Sequence, residues 1–207
     1  MSHHTTMPRR KLFATVAAVL VSGLALTGCA APAPTAAPSA ASSETGDSEF
    51  LAEHNLDGLG AAQIIERLDT LPVADRPTDL IASVQPAVLV LTDGQGRETQ
   101  LAMPEDEVYI SVAPFRAQTH DCYFHSLTTC LGELANTEVQ VTLTDTATGD
   151  VLINDLRQTF DNGFVGFWVP RGLEASLTIG HDSQTGTATI STVNADDPTC
   201  ITTLQLT

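Results

Sequence analysis

Between His120 and Cys130 the chain reads His-Asp-Cys-Tyr-Phe-His-Ser-Leu-Thr-Thr-Cys, so two imidazoles and two thiols fall within eleven residues. The whole 207-residue sequence holds only six histidines and four cysteines, which makes this concentration informative. Soft thiolates beside imidazoles suit copper(I) or zinc. Two neighbouring thiols can also surrender two electrons by closing into a disulfide. Copper(I) is satisfied by two or three such donors, whereas structural zinc takes four in a closed tetrahedral site. His120, Cys122, His125 and Cys130 supply four, but the closely spaced cysteine pair usual for zinc is missing. Copper is therefore the expected ion, with zinc as the alternative. Two thiolates can reduce two copper(II) ions while forming one disulfide, and a third thiol, Cys200, can hold the product or relay the disulfide by exchange.

The segment lies between Ala113-Pro114 and a strand pattern starting at Glu138, so it reads as a long loop or short helix. If His120 to Cys122 is extended, those two side chains share a face. If Cys122 to His125 is helical, they are neighbours three residues apart. Cys130 needs only a modest fold of the loop to join them.

The first residues read as an address. Arg9, Arg10 and Lys11 precede an apolar run from Leu12 to Leu26, about fifteen residues, the size of a signal-peptide core. It is shorter than the ~20 apolar residues of a comfortable membrane span. Leu26-Thr27-Gly28-Cys29 resembles the lipobox of bacterial lipoproteins, in which the cysteine is lipidated and becomes the new N-terminus. The expected division is a signal peptide over 1–28, a lipidated Cys29 with an Ala/Pro/Ser linker over 29–48, a helical region over 49–85 and a β-rich copper-binding domain over 86–207. Processing would remove His3 and His4 and leave Cys122, Cys130 and Cys200, an odd number for an exported protein. A Cys122–Cys130 bridge with Cys200 buried and inert is one way to dispose of them.

Without Arg9, Arg10 and Lys11, six arginines face 25 acidic residues, a formal charge of −19 with no lysine. Such a surface repels phosphate backbones and argues against nucleic-acid binding.

The elements that must position the donors are mostly strands. Asp57 can cap a helix through about Leu71, with Ala61, Ile64, Ile65 and Leu68 on one apolar face. Beyond Pro72 and Pro77, strand patterns occur over 87–92, 97–103 and 108–113. They continue through Val139, Val141 and Leu143, then over 151–153, 164–169, 175–179 and 187–193, and end with a strand from Cys200. Asp93 to Gly96 reads as a hairpin turn, and His181 to Gly186 as a loop. The fold class expected is α+β, mainly β, with a small N-terminal helical region before a largely antiparallel β domain. His54, His181 and Met103 are weaker ligand candidates. Phe160, Phe164, Phe167 and Trp168 read first as core packing and second as an aromatic wall near a metal. No Ser/His/Asp order, phosphate-binding loop or dinucleotide glycine fingerprint is present.

The run His120 to Cys130, then Asp161-Asn162-Gly163-Phe164, Phe167-Trp168-Val169-Pro170-Arg171 and Pro198 to Leu206, resembles the CueP family of bacterial periplasmic copper-resistance proteins. Ile65-Glu66-Arg67-Leu68-Asp69 and Arg76-Pro77-Thr78-Asp79-Leu80 share the likeness, which spans about residues 50–207. The resemblance implies copper(I) binding, copper(II) reduction and copper supply to a periplasmic Cu,Zn superoxide dismutase. It matches the family's cysteines to Cys122, Cys130 and Cys200 and its histidines to His120 and His125. It also implies an N-terminal region able to form a homodimer. The lipobox departs from a freely soluble periplasmic protein and suggests a guard on the outer face of a membrane.

The function expected is extracytoplasmic copper capture with cysteine-driven reduction. Cys122 and Cys130 would be donors and copper(I) ligands, with Cys200 completing the site. The alternatives are a thiol–disulfide oxidoreductase, which lacks the usual C-x-x-C, and a structural lipoprotein with an inert disulfide.

Overall fold

The computed structural model describes residues 41–207, with side chains from residue 46 onward. The signal-like segment and Cys29 lie outside the described residues. The apolar face read from the sequence forms helix α2 (Ala61–Asp69), which buries Ala61, Ile64, Ile65 and Leu68. Its start is Gly60 rather than Asp57, and the Gln63 side chain accepts the Gly60 N–H at 3.0 Å. Before it, α1 (Ala41–Glu53) begins within the stretch read as linker and sends Phe50 into the core. The Thr99 hydroxyl, donating to Asp47 at 2.7 Å, ties α1 to the β domain.

Strands β1 (Leu80–Val84), β2 (Val88–Asp93), β3 (Glu98–Ala102) and β5 (His125–Ser126) form one antiparallel sheet in the order β3-β2-β1-β5. β1 lies inside the region expected to be helical. Its alternating burial is set by pairing with β2 and with the distant β5, which local sequence does not advertise. A second antiparallel sheet has the order β10-β9-β6-β7, from β6 (Glu138–Asp145), β7 (Val151–Gln158), β9 (Glu174–His181) and β10 (Gln184–Ser191). The loop expected over 181–186 shrinks to Asp182 and Ser183, both at positive φ, as a tight hairpin requires. A third sheet pairs β4 (Glu107–Val112) antiparallel with β8 (Val165–Pro170) and parallel with the two-residue β11 (Cys200–Ile201). Among the described residues, two α-helices with mostly antiparallel sheets make the α+β, mainly β fold read from the sequence.

β4 is buried on both faces and divides the interior. Val108, Ile110 and Val112 point into a core shared with β6, β8 and β9, through Val141, Leu143, Phe167 and Leu177. Tyr109 points the other way, into a core with Ile64, Ile65, Leu68, Leu89 and Leu91. Ala113, Cys130, Phe164 and Cys200 form a separate small cluster, with Cys122 packed against it.

Candidate metal centre

Three strands and one turn converge to hold the donors. β5 sets His125 opposite Val84 of β1, and the Leu127 N–H donates to Ala82 O at 2.9 Å. Leu127 is fully buried and anchors the loop, worth about 2 kcal/mol for a leucine withdrawn from water. Beyond it the chain closes a turn, with Cys130 N–H donating to Ser126 O at 3.2 Å and Ser126 N–H to Cys130 Sγ at 3.4 Å. Cys200 is fixed by β11 against β4, where Ser111 N–H donates to Thr199 O at 2.9 Å. The Thr199 hydroxyl also accepts the His125 N–H at 3.0 Å, so the segments carrying His125 and Cys200 are laced together.

A close backbone approach seats the loop on Phe164. Gly132 N–H donates to Asn162 O at 2.6 Å, and Gly163 sits at φ 81°. A Cβ on Gly163 would lie 2.5 Å from Gly132 O, so neither chain can carry a side chain there. Phe164 then faces both imidazoles, with ring centroids 4.5 Å from His125 and 6.2 Å from His120. The aromatic wall is therefore Phe164. Phe167 belongs to the main core, and Trp168 packs on Tyr109.

Cys122 and Cys200 are disulfide-bonded, with Cα atoms 5.7 Å apart. Among the described residues Cys130 is the free, buried thiol, and its sulfur lies 3.5 Å from Cys122 Sγ. The bridge therefore crosses from loop to C-terminal strand and is not the local Cys122–Cys130 pair. Sequence spacing favours the nearer partner, but β4 carries Cys200 to the loop. Donor atoms of His125, Cys130 and Cys200 lie within 4.8 Å of one another, all three residues buried. Those of His120, Cys122 and Cys130 form a second such group toward the surface, where they line a cleft of about 590 Å³ with Tyr123 and Leu131. His54 instead packs on Phe50, His181 bonds Glu138 O at 2.8 Å, and Met103 is buried in the helix-side core.

Behind His125 stands Asp69, which the donor count from sequence missed. Asp69 is fully buried at the end of α2 and bonds His125 Nε2 at 3.0 Å. Tyr109 and Asn162 donate to the same carboxylate at 2.8 and 2.9 Å, and Arg76 Nη2 lies 3.9 Å away. The sequence did carry a signal, because Asp69 falls on the apolar face of α2, four residues after Ile65.

These contacts set the charges. Burial disfavours the Asp69 carboxylate, but the His125 imidazole and the Tyr109 and Asn162 donors outweigh it and hold Asp69 below the usual carboxylate range. Burial likewise opposes charge on His125, yet Asp69 and then Cys130 push its pKa up to about 9. Burial pushes the Cys130 thiol up, while His125, the Ser126 N–H and Arg76 bring it below an ordinary thiol. A thiol so placed, against a disulfide, is the arrangement from which exchange proceeds.

A clustered set of soft donors beside a disulfide, on a mainly antiparallel scaffold, defines a thiolate–imidazole metal-binding class. Residues 63–205 match the family model described as periplasmic copper-binding protein CueP. The chain belongs to that family. It is also similar to a solved structure titled "Crystal Structure of S.CueP", at 35% sequence identity and a TM-score of 0.71, over 83% of this chain and 100% of that one. No curated protein matches the chain significantly.

Proposed function

We propose that this chain is an exported, lipid-anchored protein that captures copper in its His/Cys cluster and reduces copper(II) to copper(I) with its own thiols. The observation that carries this reading is the convergence of three sulfurs, Cys130 Sγ lying 3.5 Å from a sulfur of the Cys122–Cys200 disulfide. In the reduced state Cys122 and Cys200 give one electron each to two copper(II) ions, form the S–S bond and release two protons. Cys130 stays a thiol in that step. His120, at the surface cleft, takes part in copper(II) capture, while His125, Cys130 and Cys200 suit copper(I) in the buried half. Cys130 can also attack Cys122, moving the bridge to Cys122–Cys130 and freeing Cys200 beside His125, whose Nδ1 is 3.9 Å from its sulfur. Each round consumes two thiols, so repeated turnover requires an external dithiol to reopen the bridge.

The lipid anchor rests on Leu26-Thr27-Gly28-Cys29. Among the described residues no helix is long and apolar enough to cross a membrane. A copper acceptor such as a Cu,Zn superoxide dismutase, and a homodimer, belong to the same reading. The test is anaerobic titration of the reduced protein with copper(II) in the presence of a chromogenic copper(I) chelator, with thiols counted before and after. One copper(I) per thiol lost, abolished by Cys122→Ser, supports reduction by the cysteines. Thiols that persist with no copper(I) formed leave a passive binder.

A further inference from the structure

The buried carboxylate behind the donors has no role as a ligand, yet three donors on three separate segments are aimed at it. Tyr109 comes from β4, Asn162 from the turn before β8, and His125 from β5. Room for the tyrosine is built in, because a Cβ on Gly166 would lie 1.7 Å from the Tyr109 hydroxyl. Asn162 Nδ2 can only donate, and it does so to Asp69 Oδ1, the oxygen that also meets His125 Nε2. Arg76, buried at 3.9 Å, adds a cation to the same oxygen. A carboxylate in that company is an acceptor, so the proton between it and His125 sits on Nε2. The opposite ring nitrogen, Nδ1, faces Cys200 Sγ.

We propose that Asp69 is the positioning residue of this site: it holds His125 with the proton on Nε2, so that Nδ1 is the nitrogen presented to Cys130 and Cys200 as a metal donor. The inference rests on the metal-binding reading above. It makes α2 part of the centre, since the last residue of that helix selects the ring nitrogen. Nε2 keeps its proton whether the ring is charged or neutral, and a metal entering beside the sulfurs displaces only what Nδ1 carries. Asparagine in place of Asp69 keeps an oxygen toward Asn162 Nδ2 but loses the charge that holds the proton, whereas alanine removes the acceptor altogether and lets the proton move to Nδ1.

The test has two arms. Long-range proton–nitrogen NMR of histidine-labelled, copper-free protein, recorded with His125 neutral, is expected to show the Nε2–H form in the wild type and a gain of the Nδ1–H form in Asp69→Ala. An Nδ1–H wild type overturns the proposal without any variant having to fold. The second arm measures copper(I) affinity by chelator competition in wild type, Asp69→Asn, His125→Ala and the double variant. Asp69→Asn is expected to weaken binding ~10–100-fold, and to cost nothing further once His125 is absent. Equal losses in both backgrounds would mean that Asp69 acts on the fold and not through His125. If the wild type binds no copper(I), the functional reading fails, while the NMR arm still decides whether Asp69 sets the ring.

Discussion

The two donor groups share Cys130 and differ in what surrounds it. The inner group, His125 with Cys130 and Cys200, is buried, hydrogen-bonded from behind by Asp69 and walled by Phe164. The outer group, His120 with Cys122 and Cys130, opens on a cleft. Burial and support go together here. A buried imidazole needs a partner for its second nitrogen, and a surface imidazole has water. On this account the inner half confers affinity and the outer half confers access.

The largest effect is expected where the groups overlap. Cys130→Ser removes a thiolate from both, so copper(I) affinity should fall well beyond the ~10–100-fold typical of losing a residue behind a ligand, as read by chelator competition. Next comes stability. His125→Ala leaves Asp69 buried without its imidazole partner and should cost about 3 kcal/mol or more in urea unfolding. The surface change His120→Ala should stay within ~0.5 kcal/mol. Similar costs for the two would erase the distinction between inner and outer.

The inner group should also govern the acid limb of stability. Asp69 is held below the usual carboxylate range, so its contribution is present above the unfolded carboxyl pKa and is lost as pH falls through the lower folded value. Thermal unfolding against pH should therefore show an acid limb that flattens in Asp69→Asn and is unchanged in His120→Ala. A smaller effect belongs to the seam beneath both groups. Gly163→Ala must push Gly132 away and break a positive-φ turn, at ~1–3 kcal/mol in the same unfolding assay.

Much of this was legible beforehand, and the remainder follows a physical pattern. The cluster of candidate donors between His120 and Cys130, the mainly β fold and the apolar face of α2 all depend on residue type and short-range period, which a sequence displays directly. The partner of Cys122 was not legible, because Cys200 reaches it through pairing with β4 across a separation of 78 residues. β1 was hidden for the same reason, its register being set by β2 and by the remote His125-Ser126. Asp69 stood in plain view as an acid on an apolar face, but its meaning appears only when Tyr109, Asn162 and His125 arrive from elsewhere in the chain.

The most direct test of the inner–outer assignment is X-ray absorption on copper(I)-loaded, fully reduced protein and on its two histidine variants. With copper(I) in the inner group, sulfur ligation with one imidazole is expected, the imidazole scattering being lost in His125→Ala and retained in His120→Ala. Imidazole scattering that survives in His125→Ala and vanishes in His120→Ala would put copper(I) in the outer group and contradict it.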